Sequence, residues 1–348
     1  MIYAAIYILL CLLVPLGRTH DRRSVAILAI VSILLFLFVG FRWEVGCDWT
    51  GYQNIYWISG DKSPEEILAD REPGFGMLNY YIRHLDLDYY YINVVEALIF
   101  FVGLFLFALK QENPLAIVAL SFPILIMNMP MSAVRQAIAI GFIMMAINAF
   151  RDGKRLTYAG AVLAGGTFHQ SSILFLGLAP LIRLRLTIWT AALSAILAAP
   201  GLYYLFASTF DIYTQRYGGN ARDAFGAPYR AALLAVVGIT FVWLFRARWR
   251  KAYPQDYAMY WLAAVAMIAT VPITLYSSIV GDRIGYYLIP FQIVILERMP
   301  FLFRGSRYVL FLEVVPYLVL LVFFATWLAT SSLFQRCYVP YQSLLFNM

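Results

Sequence analysis

Histidine and cysteine are the scarcest reactive residues in this chain, three of each in 348 positions. That argues against a dedicated His/Cys metal centre and against a disulfide-dense secreted scaffold. No Gly-rich Walker loop, Gly-x-Ser-x-Gly elbow or His-Glu-x-x-His helix occurs, so the usual nucleotide, serine-hydrolase and zinc-protease signatures are all missing. No cofactor is called for. Charge is also scarce: Asp, Glu, Lys and Arg make up 13% of the residues, where a soluble globular domain carries about 25%. What the chain has instead is apolar length. Its apolar share is 62%, against roughly 45–50% for soluble domains, which excludes disorder and collagen-like repeats as well. At about 20 residues per crossing it supports roughly ten spans plus some loop. The fold class is all-α, a polytopic integral membrane protein. The net charge of +7 then marks cytoplasmic loops, and no nucleic-acid partner is needed.

Apolar runs able to cross or enter a bilayer are Ile2–Leu16, Ser24–Gly40, Tyr91–Leu109, Leu115–Met127, Ala133–Phe150 and Leu156–Phe168. Six more are Ser171–Ile182, Leu186–Ala207, Ala231–Phe245, Tyr257–Tyr276, Gly285–Leu296 and Tyr308–Thr330. About 11–12 membrane segments result, in one polytopic domain over 1–348. The first run has no basic stretch before it and three arginines after it, so it reads as an uncleaved span with its N-terminus outside. Residues 156–182 decide the rest. Arg151, Lys154 and Arg155 precede them and Arg183 and Arg185 follow. A single crossing would put these clusters on opposite faces. Folding back at Gly165-Gly166, as a hairpin or re-entrant element of two short helices, keeps both cytoplasmic. Inner loops then hold sixteen Lys/Arg against five acids, and outer loops ten against twelve. Both termini come out extracytoplasmic.

The largest loop, 41–90, is aromatic and carries nine acids against four bases. Ser63-Pro64-Glu65-Glu66 in it is a helix start, with Ser as cap, Pro at the first position and acids in the first turn. Rings such as Trp49 and Tyr52 beside carboxylates suit sugar binding; an interfacial aromatic belt is the plainer alternative.

Ionisable groups at membrane depth are costly and so are candidates for function. Ser132-Ala-Val-Arg135-Gln136 opens an inward-running span with Ser132 as cap, and an arginine there opposes the helix dipole unless an anion binds. Gly281-Asp282-Arg283-Ile284-Gly285 repeats the device with Asp282 as cap. At the hairpin, Phe168-His169-Gln170-Ser171-Ser172 offers Ser171 as a third cap. If these starts converge, Arg135, Arg283 and His169 form an outer anion site, with arginines able to clamp phosphate oxygens. The structural alternatives are an Arg135–Glu96 pair, an Arg283–Asp282 bond and a packing role for His169. Arg216, in an outer loop, is a weaker candidate whose alternative is an ordinary solvated loop. Cys47 and Cys337 fall on the outer side, where they can pair or stay as two thiols; unpaired thiols are the safer expectation.

Phe41-Arg42-Trp43-Glu44-Val45-Gly46-Cys47-Asp48-Trp49-Thr50-Gly51-Tyr52 resembles the F-R-x-x-x-G-x-D-x-x-x-Y stretch of the EpsG-type proteins of bacterial exopolysaccharide assembly, allied with the Wzy-type O-antigen polymerases. Glu72-Pro73-Gly74-Phe75 with Leu78-Asn79, Arg135-Gln136-Ala137-Ile138-Ala139, and Phe168-His169-Gln170-Ser171-Ser172 resemble later motifs of that family, in order along most of the chain. Gly281-Asp282-Arg283-Ile284 is similar to a late one. Cys47 departs from the pattern, which often has Thr or another small residue there.

The resemblance implies a metal-independent polymerase joining oligosaccharide repeat units carried on undecaprenyl diphosphate, at the outer face of a bacterial inner membrane. The lipid-linked donor and acceptor, membrane lipid, and a chain-length regulator or export proteins are the implied partners. On this reading Arg135 and Arg283 hold diphosphate with Gln136, and Arg216 or Arg42 assists. Ser171, Trp49 and Tyr52 meet the substrate. The base is His169, Asp48, Glu72 or Asp282. Two other readings are a flippase or other transporter of lipid-linked sugars, and a membrane acyltransferase that modifies polysaccharide.

Overall fold

The computed structural model describes residues 2–18, 21–59, 61–182, 184, 187–216, 224 and 226–346, with the side chains of 206–216 outside that description. No strand occurs among the described residues, only one isolated bridge between Arg42 and Ser343. The chain runs through α1 (Ile2–Leu13) and a 3-10 turn (Val14–Gly17), α2 (Arg22–Gly40), α3 (Trp49–Ser59), α4 (Pro64–Ala69), α5 (Pro73–His84) and α6 (Tyr90–Ala108). Next come α7 (Pro114–Ser121) with a π turn (Phe122–Ile126), α8 (Val134–Arg151), α9 (Arg155–Phe168), a 3-10 helix (Gln170–Leu181) and α10 (Ile188–Arg216). Then follow α11 (Ala227–Thr240) with a second π turn (Phe241–Phe245), α12 (Arg246–Ala252), α13 (Tyr257–Tyr276), α14 (Ser278–Leu302), α15 (Val309–Thr330) and α16 (Ser332–Cys337). Eight helical stretches among the described residues are long and apolar enough to cross a membrane, and three shorter ones are apolar. The protein is a multi-pass, all-α membrane protein.

Helix starts follow local chemistry. Asp21 caps α2 by accepting from the Ser24 N–H at 2.8 Å, and Asn113 caps α7 ahead of Pro114. The Ser63 start of α4 is a full capping box with Glu66, as the sequence predicts.

Two compact units make up the chain. The first comprises Met1–Met145, Leu163–His169 and Val315–Met348. Long-range tyrosine bonds tie its termini to the start of the 41–90 loop. Tyr3 donates to the Tyr338 carbonyl at 2.7 Å and Tyr341 to the Phe38 carbonyl at 2.6 Å. Leu344 N–H reaches the Phe41 carbonyl at 2.9 Å, and Trp43 N–H the Gln342 carbonyl at 3.0 Å. The two ends of the chain therefore share a face with the loop. At the opposite end of the unit, Asn113 donates to the Val14 carbonyl and Ser24 to the Leu16 carbonyl. Cys47 and Cys337 are joined in a disulfide, with 4.9 Å between Cα atoms. This corrects the expectation of two thiols: the Gly46 N–H bond to the Cys337 carbonyl, 2.7 Å, brings the two backbones together.

The second unit comprises Ala146–Val162 and Gln170–Val314. Arg155 donates twice to the Ile182 carbonyl, at 3.2 and 2.9 Å, and Tyr158 to the Phe175 carbonyl at 2.5 Å. Segment 156–182 thus returns to its own starting end, as the charge pattern predicts; Arg183 and Arg185 lie outside the described residues. Its break is elsewhere, however. α9 runs through Gly165 and Gly166 to Phe168, with both glycines buried, and the second arm is 3-10. Packing outweighs the weak helix propensity of glycine, about 1 kcal/mol each. Farther along, Arg298 is enclosed by Trp249, Tyr253 and Tyr260 and bonds Asp256 at 2.8 Å.

Candidate functional site

The outer loop of the first unit folds around its own aromatics. Trp49, Tyr52, Tyr56, Phe75, Ile82 and Tyr89 form a buried cluster with Val134 and Ile138 of α8. Trp49 and Tyr52 are only 8% exposed. This corrects their assignment as sugar-stacking platforms: a ring whose faces are taken by other rings, such as Trp49 edge-on to Tyr89 at 5.0 Å, has none left for a pyranose. The most exposed rings of this loop are Trp57, 50% exposed with the Arg83 guanidinium 4.3 Å from its ring centre, and Tyr81, 57% exposed.

Two glycines set the backbone of the site. Gly46 has φ +113°, and a Cβ there would overlap the Met131 carbonyl oxygen. The Gly46–Asp48 turn therefore lies flat on the chain just before α8. Gly74, next to Pro73 at the start of α5, lies against Thr167 near the end of α9. Segments far apart in sequence, ending at Asp48, Glu72, Arg135 and His169, are thereby drawn into one unit.

Arg135, the second residue of α8, forms an ion pair with Glu72, which immediately precedes α5. Its guanidinium also lies over the Tyr52 ring at 5.7 Å and the Phe75 ring at 6.0 Å. Its Nε is buried and makes no hydrogen bond among the described residues. The structural alternative for Arg135, a pair with Glu96, does not form. Glu96 instead faces Arg42 at 3.8 Å. Arg42 is 1% exposed and donates to Val45 O, Val39 O and Asn93 Oδ1 at 3.1, 2.7 and 2.8 Å. Its guanidinium is enclosed by protein and cannot assist at an open phosphate site, so its work is to hold the Val45 carbonyl beside the Gly46 turn.

Ser132 precedes α8 by two residues, and its hydroxyl donates to the Asp48 carboxylate at 3.4 Å. Desolvation by neighbouring protein pushes the pKa of the Asp48 carboxyl up, against the lowering influence of Ser132 and Arg135, while the residue keeps an exposed side. The Tyr52 hydroxyl is pushed up likewise by desolvation. Gln136 is buried at the same helix start, and His169 ends α9, half-buried, its N–H bonded to the Gly165 carbonyl at 2.9 Å. Ser171 is not a cap. It is the second residue of the 3-10 helix and 6% exposed.

In the second unit, α14 starts at Ser278 under Ser277, whose hydroxyl accepts from Val280 N–H at 3.4 Å. Asp282 is therefore not the cap, and Arg283 lies in the second turn. Asp282 pairs instead with Arg230 of α11, two contacts of 2.7 Å, and that guanidinium lies 5.1 Å from the Tyr286 ring centre. Sequence reasoning missed Arg230 by starting its span at Ala231. The signal was there: Gly226-Ala-Pro228-Tyr-Arg230 places Pro early and an arginine in the first turn, the same device as at Arg135. The Arg216 side chain lies outside the described residues.

Among the described residues no cluster of three His, Cys, Asp or Glu side chains could hold a metal ion. The arrangement in the first unit can bind an anion at Arg135 and accept a proton at Asp48. No curated protein and no solved structure matches the chain. One family model does, over residues 25–343: the chain belongs to the EpsG family, and that membership implies a function of the polysaccharide-polymerase type.

Proposed function

We propose that this protein joins oligosaccharide repeat units carried on undecaprenyl diphosphate, at the extracytoplasmic face of a bacterial inner membrane. The observation that carries the reading is Arg135 at a helix start, beside one carboxylate that pairs with it and a second that does not. An acceptor sugar hydroxyl attacks the donor's anomeric carbon, the bond from that carbon to the diphosphate oxygen breaks, and lipid diphosphate leaves with the electron pair. Arg135 takes the growing negative charge, with the dipole of α8 aligned to help. Glu72 releases the guanidinium as the phosphate arrives. Asp48 takes the hydroxyl proton. It is preferred to Glu72 and Asp282 because those two are ion-paired with Arg135 and Arg230.

The disulfide supports the orientation, since Cys47 and Cys337 belong to an oxidising compartment. Arg283 stands as a phosphate ligand on the resemblance of Gly281-Asp282-Arg283-Ile284 to the family motif alone. The test is reconstitution in vesicles with purified lipid-linked repeat unit. A ladder of lengthened glycan with released lipid diphosphate supports the reading, and loss of the ladder in Arg283→Ala supports that residue's role. Movement of the lipid-linked unit across the bilayer without lengthening contradicts the reading and favours a flippase.

A further inference from the structure

Cys47 is the residue before Asp48, and its disulfide partner lies 290 positions away at the end of α16. The backbone on either side has its own restraints. Residues up to Gly46 are fixed by Trp43 N–H to Gln342 O, Arg42 to Val45 O, and Gly46 N–H to Cys337 O. From Trp49 onward the chain is helical, with Tyr52 N–H on the Asp48 carbonyl at 3.0 Å. Between these, Trp49 N–H closes the turn on the Gly46 carbonyl at 3.3 Å, Cys47 and Asp48 are both exposed, and the Asp48 carboxylate accepts from the Ser132 hydroxyl at 3.4 Å. The covalent tie therefore anchors an exposed turn to the end of α16, one residue from the proposed base. The carboxylate faces Ser132, Arg135 and Tyr52.

We infer that the Cys47–Cys337 disulfide is a positioning element for Asp48, so that the protein polymerises efficiently only once these two cysteines are oxidised. The inference rests on the proposed role of Asp48. Activation is thiol–disulfide exchange: the two thiols reduce an exogenous disulfide, two electrons and two protons pass to it, and the Cys47–Cys337 bond forms as two thiols leave. A chain still reduced after insertion would hold Asp48 loosely and turn over slowly, which ties activity to arrival in an oxidising compartment.

The experiment uses the full chain with Cys11→Ser, which leaves only the paired cysteines, reconstituted with lipid-linked repeat unit. Turnover is measured against pH before reduction with a dithiol, after reduction, and after reoxidation. Reduction should lower kcat about 10- to 100-fold, the scale of a misplacement near 1 Å. It should also move the acid limb of the profile down toward the ordinary carboxylate range, and reoxidation should restore both. Cys47→Ser should match the reduced protein. If kcat and the limb are unchanged on reduction while the melting temperature falls, the disulfide is a staple only and the inference is overturned. Asp48→Asn separates the two claims: full activity in that variant overturns the base assignment itself, whereas an inactive Asp48→Asn with a reduction-insensitive parent overturns only the positioning role.

Discussion

Arg135 sits where its own helix disfavours it. A cation in the first turn faces the positive end of the helix dipole, and part of its guanidinium is taken out of water. Glu72 offsets that cost in the resting protein, and a phosphate can replace it without leaving the charge bare. Asp48 differs in having no such partner, so its proton affinity is the property that pH experiments can read. An acid whose folded pKa lies above the ordinary value of about 3.9 is still protonated where a free carboxylate is not. Polymerisation should therefore rise with pH through a limb displaced above the ordinary carboxylate range. Asp48→Asn should lower kcat by about 10²–10⁴ and remove that limb; an unchanged profile would move the role to His169. At this scale the sequence was half legible. An arginine at a span entrance and an acid-rich loop were visible as residue types, and so were Asp48 and Glu72 as candidates. Their partners were not, because pairing across 63 residues, as between Glu72 and Arg135, leaves no local pattern. Trp49 and Tyr52 misled for the same reason: an aromatic loop that folds on itself and one that faces a sugar have the same composition.

Elements were read well in number and poorly at their polar edges. Counting apolar runs put the start of α11 at Ala231 and that of α14 at Gly285, whereas the helices begin at Ala227 and Ser278. In both, the missing stretch holds paired charges, since hydropathy stops where arginine and aspartate begin. The Arg230–Asp282 pair so uncovered joins α11 to α14, and a double-mutant cycle should show it. Arg230→Ala and Asp282→Ala should couple by about 1–3 kcal/mol in unfolding measured in detergent, and additive losses would deny the pair that role. The Gly46 turn offers a sharper check. Any side chain there needs both φ +113° and the space of the Met131 carbonyl. Gly46→Ala should cost about 1–3 kcal/mol for the backbone alone and lower the melting temperature; a wild-type melt would mean that the turn rearranges freely. The hairpin over 156–182 was legible because charge clusters at its two ends admit one economical arrangement. Its break at His169 was not, because glycines mark a turn only when packing leaves them free to do so.

On the scale of the whole molecule, the 41–90 loop, the disulfide and residues near both ends of the chain lie together in the first unit. Membership of the EpsG family implies a polysaccharide-polymerase type of function, and the proposed site in the first unit assigns its charge to Arg135 and its proton to Asp48. The central claim is that Arg135 stabilises the departing lipid diphosphate. It is tested most directly by a single-turnover measurement with purified protein and lipid-linked repeat unit, counting glycosidic bonds formed and lipid diphosphate released. Arg135→Ala, present at wild-type levels and melting as a folded protein, should slow both together by about 10²-fold or more. Arg135→Lys should recover only part of that rate, since an ammonium lacks the planar fork. Wild-type bond formation and release by Arg135→Ala would contradict the account.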